Sequence, residues 1–328
     1  MTAWLLRRAL GLVPLFIGIS LVTFAVVRLA PGDPAAVMTE LNPKASSQAR
    51  ERIREVYGLN RPVLVQYADW AGRMARLDFG NSFRDGEKVS SKIARRVPVT
   101  LGLNLLAMLF ILGIAVPLGV LSAAWKGSAF DRAATFIVYL GFAAPTFWLA
   151  LLLMSFFAVR LHVLPVSGLT SLEFEYFTPF EKALDVARHL VLPVFVSAFT
   201  GIAGISRYMR ESVLEQLRQD YVRTAWSKGL TGGRVLWGHA VRNALLPVIT
   251  VLGLSVPGLL GGSVIFESIF SIPGLGRLFF DSVAARDYPV VMGLLMIGAV
   301  LTLIGNLLAD VGYFAADPRI RLHREIKG

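Results

Sequence analysis

Six stretches of this chain run for 18 residues or more without an Asp, Glu, Lys or Arg, and that pattern leaves few folds open. They cover residues 9–27, 97–125, 133–159, 189–206, 243–266 and 288–309. A helix needs about 20 apolar residues to cross roughly 30 Å of hydrocarbon. Lipid offers no partner to an unpaired backbone amide, so each run must be helical to lie there. The expected fold is all-α: a polytopic membrane protein with six transmembrane helices. The shortest run, 189–206, carries Pro193 near its start, and Pro117, Pro145, Pro247 and Pro257 fall in or near others. Such breaks are tolerated where neighbouring helices or a cavity re-satisfy the backbone. Composition agrees, with 17% charged residues where a soluble domain has about 25%.

Two simpler readings of the charge and the N-terminus fail. The net charge of +11 invites a nucleic-acid partner, but the basic residues sit between the apolar runs, where they set topology instead. Arg7 and Arg8 ahead of an apolar run resemble a signal peptide. That run is 19 residues long, twelve of them Leu, Ile, Phe or Val, with no small-residue cleavage pattern close behind. It reads as a retained first span, favoured in the bilayer by about 4–7 kcal/mol.

Six spans place both termini on one side. Residues 207–242 hold seven Lys/Arg, and the tail adds Arg319, Arg321, Arg324 and Lys327. The loops between, 160–188 and 267–287, hold three and two. The positive-inside rule puts the termini and 207–242 in the cytoplasm. The basic segment 28–96 then lies outside, at the edge of the length to which the rule applies. Within it Pro31-Gly32-Asp33-Pro34 is a turn cluster. Residues 46–57 read as a charged helix capped by Ser47, and 63–77 as an amphipathic helix with Tyr67, Trp70 and Met74 at helical spacing. The segment fits two roles: a helical cap on the outer face, or a docking surface for a soluble partner. The chain divides into residues 1–96 (first span and outer segment), 97–310 (five further helices with a long cytoplasmic loop at 207–242) and a cytoplasmic tail, 311–328.

The segment 211–247 carries the most information. Its first part reads as an amphipathic helix with Val213, Leu214, Leu217, Tyr221 and Val222 on one stripe. Gly229 suits the position just past a helix end, and Lys228 before it complements the helix dipole. Thr231 is placed to cap a second helix, which sets Val235, Leu236 and Trp237 against the bundle. Two short helices joined by a glycine between two spans make an elbow able to pass a push from a cytoplasmic partner into the membrane. A loop that merely rests on anionic headgroups is the plainer alternative. The glycine punctuation and the apolar residues weigh against it.

Asp-Tyr-Val-Arg-Thr-Ala-Trp-Ser-Lys-Gly from Asp220 to Gly229, with Arg-Asn-Ala-Leu-Leu-Pro from Arg242 to Pro247, resembles the coupling loop of ABC importer permeases. The likeness is to the dipeptide/oligopeptide/nickel permease family. The wider pattern is Glu-Ala-Ala, three residues, Gly, nine residues, then Ile-x-Leu-Pro. This chain keeps Ala225 and Gly229 but has Arg223-Thr224 for Glu-Ala and His239-Ala240-Val241-Arg242 for Ile-x-Leu-Pro. Arg223 is thereby left to meet an acidic surface. Leu5-Leu6-Arg7-Arg8 with residues 28–34, Tyr57-Gly58-Leu59-Asn60-Arg61-Pro62, residues 77–83, residues 270–276 and Ala285-Arg286-Asp287-Tyr288-Pro289 are similar to further signatures of that family, in order along the chain. The resemblance implies a type I importer bundle in a bacterial inner membrane. It implies a homologous second permease, two ATP-binding subunits and an extracytoplasmic solute-binding protein as partners, with peptides as cargo. Nickel complexes or other small solutes are the alternative cargo. The ATPase-coupling residues it implies are Asp220, Tyr221, Arg223, Thr224, Ala225, Lys228 and Gly229.

The chain has no G-x-x-x-x-G-K-[ST] loop, and Gly232-Gly233-Arg234 has the wrong spacing, so ATP is expected on separate subunits. It has no cysteine, no H-E-x-x-H and no G-x-S-x-G. His162, His189, His239 and His323 are scattered, so neither a metal, a cofactor nor an enzymatic centre is expected. Secondary transporters place ionisable residues inside their spans; here Glu267 and Asp310 stand only at span ends. Asn104 and Asn306 are the amides within spans, where they suit either a pathway lining or interhelical hydrogen bonds.

Overall fold

A computed structural model describes residues 2–29, 55, 60–255, 258–259 and 263–316. The helix read at 46–57 lies outside the described residues save residue 55, and the turn cluster at 31–34 and most of the tail lie outside them too. The described residues are helical apart from turns and one isolated antiparallel bridge, Asn81 to Lys88. Among the described residues, four helices are long and apolar enough to cross a membrane, with candidate spans at Leu10–Leu29, Val89–Ala124, Pro179–Gln216 and Tyr288–Leu307. A bent pair, Ala129–Ala143 with Thr146–Arg160, brings the number to five if it is one span. The expected run at 243–266 is described only in part, as a 14-residue helix Arg242–Ser255 and the residues around a short helix Val264–Ile269. The described residues divide into two compact units.

Of the described residues, the first unit holds those up to Thr100 with 263–264 and 273–307. Helix α1 (Thr2–Leu29) continues through Pro14. Helix α2 (Val63–Ala75) lies against it, because the stripe seen in the sequence faces inward. The rings of Tyr67 and Trp70 meet Phe24 at 5.5 and 5.8 Å, and the Tyr67 and Ser20 hydroxyls share a 2.7 Å hydrogen bond. The first turns of α3 (Val89–Ala124) pack Val89 and Ile93 on Leu275 and Leu278 of α11 (Leu275–Ala284) and on Val290 and Leu294 of α12 (Tyr288–Ala316). The buried Thr100 hydroxyl accepts a 2.8 Å hydrogen bond from the Leu275 amide, one of the orphan donors at that helix start.

Of the described residues, the second unit holds 101–255, 258–259, 265–272 and 308–316. Ser128 caps α4 (Ala129–Ala143) by accepting from the Asp131 amide. Before Pro145 the residue Ala144 is extended (φ −78°, ψ 123°), as proline demands of its predecessor. The next helix, α5 (Thr146–Leu153, continued by a π-helical stretch Met154–Arg160), therefore leaves at 104°. Helix α6 (Pro179–Gln216) starts at a reciprocal capping box between Thr178 and Glu181 and passes Pro193 without ending. Thus the shortest predicted run belongs to one of the longest helices. α4, α5 and α9 (Arg242–Ser255) all pack on α6. A β-carbon on Gly119 would lie 2.5 Å from the Ser206 carbonyl oxygen, so the missing side chain lets α3 and α6 touch backbone to backbone.

Candidate functional site

The end of α6 corrects the sequence reading of a single amphipathic helix through Val222. Val213 and Leu214 finish α6, and Val222 belongs to a separate helix, α7 (Asp220–Ser227). Between them the amides of Leu217, Arg218 and Gln219 close onto Val213, Glu215 and Gln216, tightening the last turn. Gln219 is extended (φ −74°, ψ 149°) and turns the chain into α7. Tyr221 is exposed rather than on the buried stripe, its hydroxyl 2.7 Å from Gln216.

Only Val222 and Ala225 of α7 are buried. They form a small cluster with Val235, bordered by Leu217 and Leu230. The rest of the helix faces outward: Asp220, Tyr221, Arg223, Thr224, Trp226, Ser227 and then Lys228. The Thr224 and Ser227 hydroxyls bond back to the carbonyls of Asp220 and Arg223 at 3.0 and 3.1 Å. Arg223 and Asp220 pair at 3.3 Å, but their side chains are 75% and 95% exposed. Such a pair contributes about 0–1 kcal/mol, so both charges are open to a partner.

Gly229 ends α7 in the left-handed region, at φ 74°, as the sequence suggested. The Gly229 amide bonds to the Trp226 carbonyl at 2.9 Å, and the Leu230 amide to the Ala225 carbonyl at 3.4 Å. This is a Schellman closure, and Leu230 supplies the apolar contact that accompanies it. Thr231 occupies the N-cap of α8 (Gly232–Val235) but makes no side-chain cap bond; its carbonyl accepts from the Val235 amide. Val235 is fully buried and Leu236 partly so, whereas Trp237 is half exposed, a correction to its expected packing. A π-helical stretch, Leu236–Val241, runs directly into α9. Both arms of the elbow hang on one core, because Met209 and Val213 of α6 pack with Val241, Ala244 and Val248.

Sequence reasoning missed the clamp beside this core. Arg210, nearly two turns before the end of α6, donates two hydrogen bonds to Asp131 at 2.7 and 2.8 Å. The Asp131 carboxylate also accepts from the Gly127 amide at 2.9 Å. The charge pattern marks Arg210 only as a basic loop residue, and Asp131 stands two residues before an apolar run. A carboxylate at such a boundary was the one available signal. In the first unit, the Asp287 carboxylate accepts from the Ser82 hydroxyl and the Phe83 amide, joining two motifs about 205 residues apart. Nearby, the Lys92 ammonium donates to Asp85 and holds its carboxyl down at about 2.

Of the two pathway candidates, Asn104 donates to the Leu259 carbonyl at 2.7 Å. Asn306 is exposed on α12.

Residues 115–322 match the family described as binding-protein-dependent transport system inner membrane component, and residues 1–104 match its N-terminal family. The oligopeptide transport system permease protein AppB of Bacillus subtilis is 46% identical over 98% of this chain and 99% of its own. The di/tripeptide transport system permease protein DppB of Pseudomonas aeruginosa is 40% identical, covering 99% of this chain and 100% of its own. The dipeptide transport system permease protein DppB of Alkalihalophilus pseudofirmus is 39% identical over 98% and 100%.

Proposed function

The chain belongs to the family of binding-protein-dependent transport inner membrane components, and on that premise we propose that it forms half of the membrane pathway of an ATP-driven peptide importer. The elbow is the observation that carries the mechanism. An eight-residue helix rests on two buried side chains, is closed by a glycine, and is fused through one core to α6 and α9. A partner that grips its exposed face moves both long helices, because packed cores shift between discrete arrangements rather than bending smoothly. Peptide cargo follows the names that the relatives carry.

The chain supplies no phosphate-binding loop, so hydrolysis falls to two separate ATP-binding subunits. Six spans with both termini cytoplasmic put the elbow on their side of the bacterial inner membrane. A homologous second permease completes the pathway, and an extracytoplasmic binding protein delivers the peptide. ATP-driven closure of the ATPases then pushes the two elbows, and the permeases rock between outward- and inward-open packings.

The test is uptake by the whole assembly. Proteoliposomes containing this chain and the gene products encoded beside it should accumulate labelled di- or oligopeptide when ATP and binding protein are supplied. Nickel uptake with no peptide uptake would replace the cargo. Accumulation driven by a proton or sodium gradient without ATP would overturn the reading.

A further inference from the structure

At the end of α1 the first unit opens a cleft of about 620 Å³. Phe24, Val27 and Trp70 form an apolar floor, with Pro289 and Met292 of α12. Its rim carries four arginines, Arg28, Arg61, Arg73 and Arg76, against two aspartates, Asp69 and Asp78. Asp69 is engaged by Arg61 at 3.0 Å, and Asp78 accepts from the Gly80 amide. Arg28, Arg73 and Arg76 thus face the cleft with the local carboxylates already committed.

The surroundings say what kind of anion fits. Arg28 is the last basic residue of a helix with a candidate span ending at Leu29, so the cleft lies where hydrocarbon gives way to headgroups. Leu21, Val22 and Val26 leave an exposed apolar strip on α1 leading to it. Helix α2 exposes Val63, Leu64 and Val65 at its start, the pattern of a helix lying in the interface. Tyr67, Trp70 and Tyr288 add the aromatic residues typical of that depth. A soluble anion would use only the rim. A ligand with a phosphodiester and two acyl chains uses rim, floor and strip together.

We propose that this cleft binds one anionic phospholipid, its phosphate held by Arg28, Arg73 and Arg76 and one acyl chain lying over Phe24, Val27 and Trp70. Guanidinium groups suit the task because their forked donors match phosphate oxygens. The lipid fixes α2 against α1 and fills the space between α2 and the start of α12.

Native mass spectrometry of the full chain, released from vesicles of equal phosphatidylglycerol and phosphatidylethanolamine with matched acyl chains, tests this. One retained phosphatidylglycerol is expected, in preference to phosphatidylethanolamine. Arg73→Gln with Arg76→Gln should lower that retention roughly tenfold, whereas Arg84→Gln outside the cleft should keep most of it. Glycerophosphoglycerol, the headgroup without chains, should not displace the lipid. Equal retention of both lipids by the unmodified chain would overturn the proposal without reference to any variant. So would displacement by the chainless headgroup or by a dipeptide at comparable concentration, which would make the cleft a site for soluble anions or for cargo.

Discussion

Replacing Gly229 by valine separates the elbow's geometry from its stability. A β-carbon added at Gly229 meets nothing within 4 Å, so the side chain itself has room. The penalty is in the backbone, because φ is 74° and a left-handed non-glycine residue costs about 1–2 kcal/mol, more when β-branched. The chain can instead abandon the Schellman closure, losing two hydrogen bonds at about 1 kcal/mol each. Either route costs about 2–3 kcal/mol, less than the 5–15 kcal/mol that holds a typical domain together. The protein should therefore insert and accumulate nearly normally, while the second arm leaves α7 at a different angle. The assay is peptide-stimulated ATP hydrolysis by the reconstituted complex, with permease content checked by immunoblot. Gly229→Val should abolish stimulation and uptake, Gly229→Ala should fall between, and Gly229→Asn, which tolerates this conformation, should retain most activity. Normal stimulation by Gly229→Val at normal abundance would show that this loop is not the coupling element.

Four further outcomes are expected. Arg223→Glu should cut stimulated hydrolysis roughly tenfold or more, by setting like charges together at the ATPase surface; wild-type activity would remove Arg223 from the contact. Asp131→Ala leaves Arg210 without its partner and should destabilise by on the order of 2–4 kcal/mol, read as a lowered thermal midpoint in detergent, with Asp131→Asn milder; an unchanged midpoint would mean the clamp is idle. Leu172, 98% exposed, and Arg218 should label from opposite sides of intact cells when changed singly to cysteine; same-side labelling contradicts six spans with cytoplasmic termini. The purified chain alone should show no ATP hydrolysis above background, and activity surviving removal of every co-purifying subunit would contradict a separate ATPase.

What the sequence disclosed depended on how local the determining physics was. Gly229 is legible because its left-handed φ follows from a helix that ends at Ser227 with Lys228 as its cap, a matter of a few residues. The inward stripe of α2 was legible for the same reason, since Tyr67 and Trp70 recur at helical spacing. The limits of α6 were not. Uncharged runs mark where lipid ends, whereas the helix continues past Arg207 and Arg210 to Gln216 because α9 and α4 pack along it. That continuation moved Val213 and Leu214 out of the elbow and into the long helix. The Arg210–Asp131 clamp joins residues 79 apart, and no spacing rule connects them. Both ends of the Ser82–Asp287 contact lay in motifs already singled out, yet only the fold of the first unit brings them together. Asn104 shows the same limit: its amide meets a backbone carbonyl, which leaves no trace in the partner's side chain.

The central claim is that the exposed face of α7 is where separate ATP-binding subunits grip this chain. The chain has no cysteine, so Ser227→Cys introduces a unique thiol on that face. The decisive measurement attaches a short photo-activated crosslinker there, in the complex assembled with its ATP-binding subunits and hydrolysing ATP. The account predicts a single dominant adduct, between this chain and an ATP-binding subunit, whose yield changes between ATP-bound and ADP-bound complex. An active complex in which Ser227→Cys crosslinks only to lipid or to itself would contradict it.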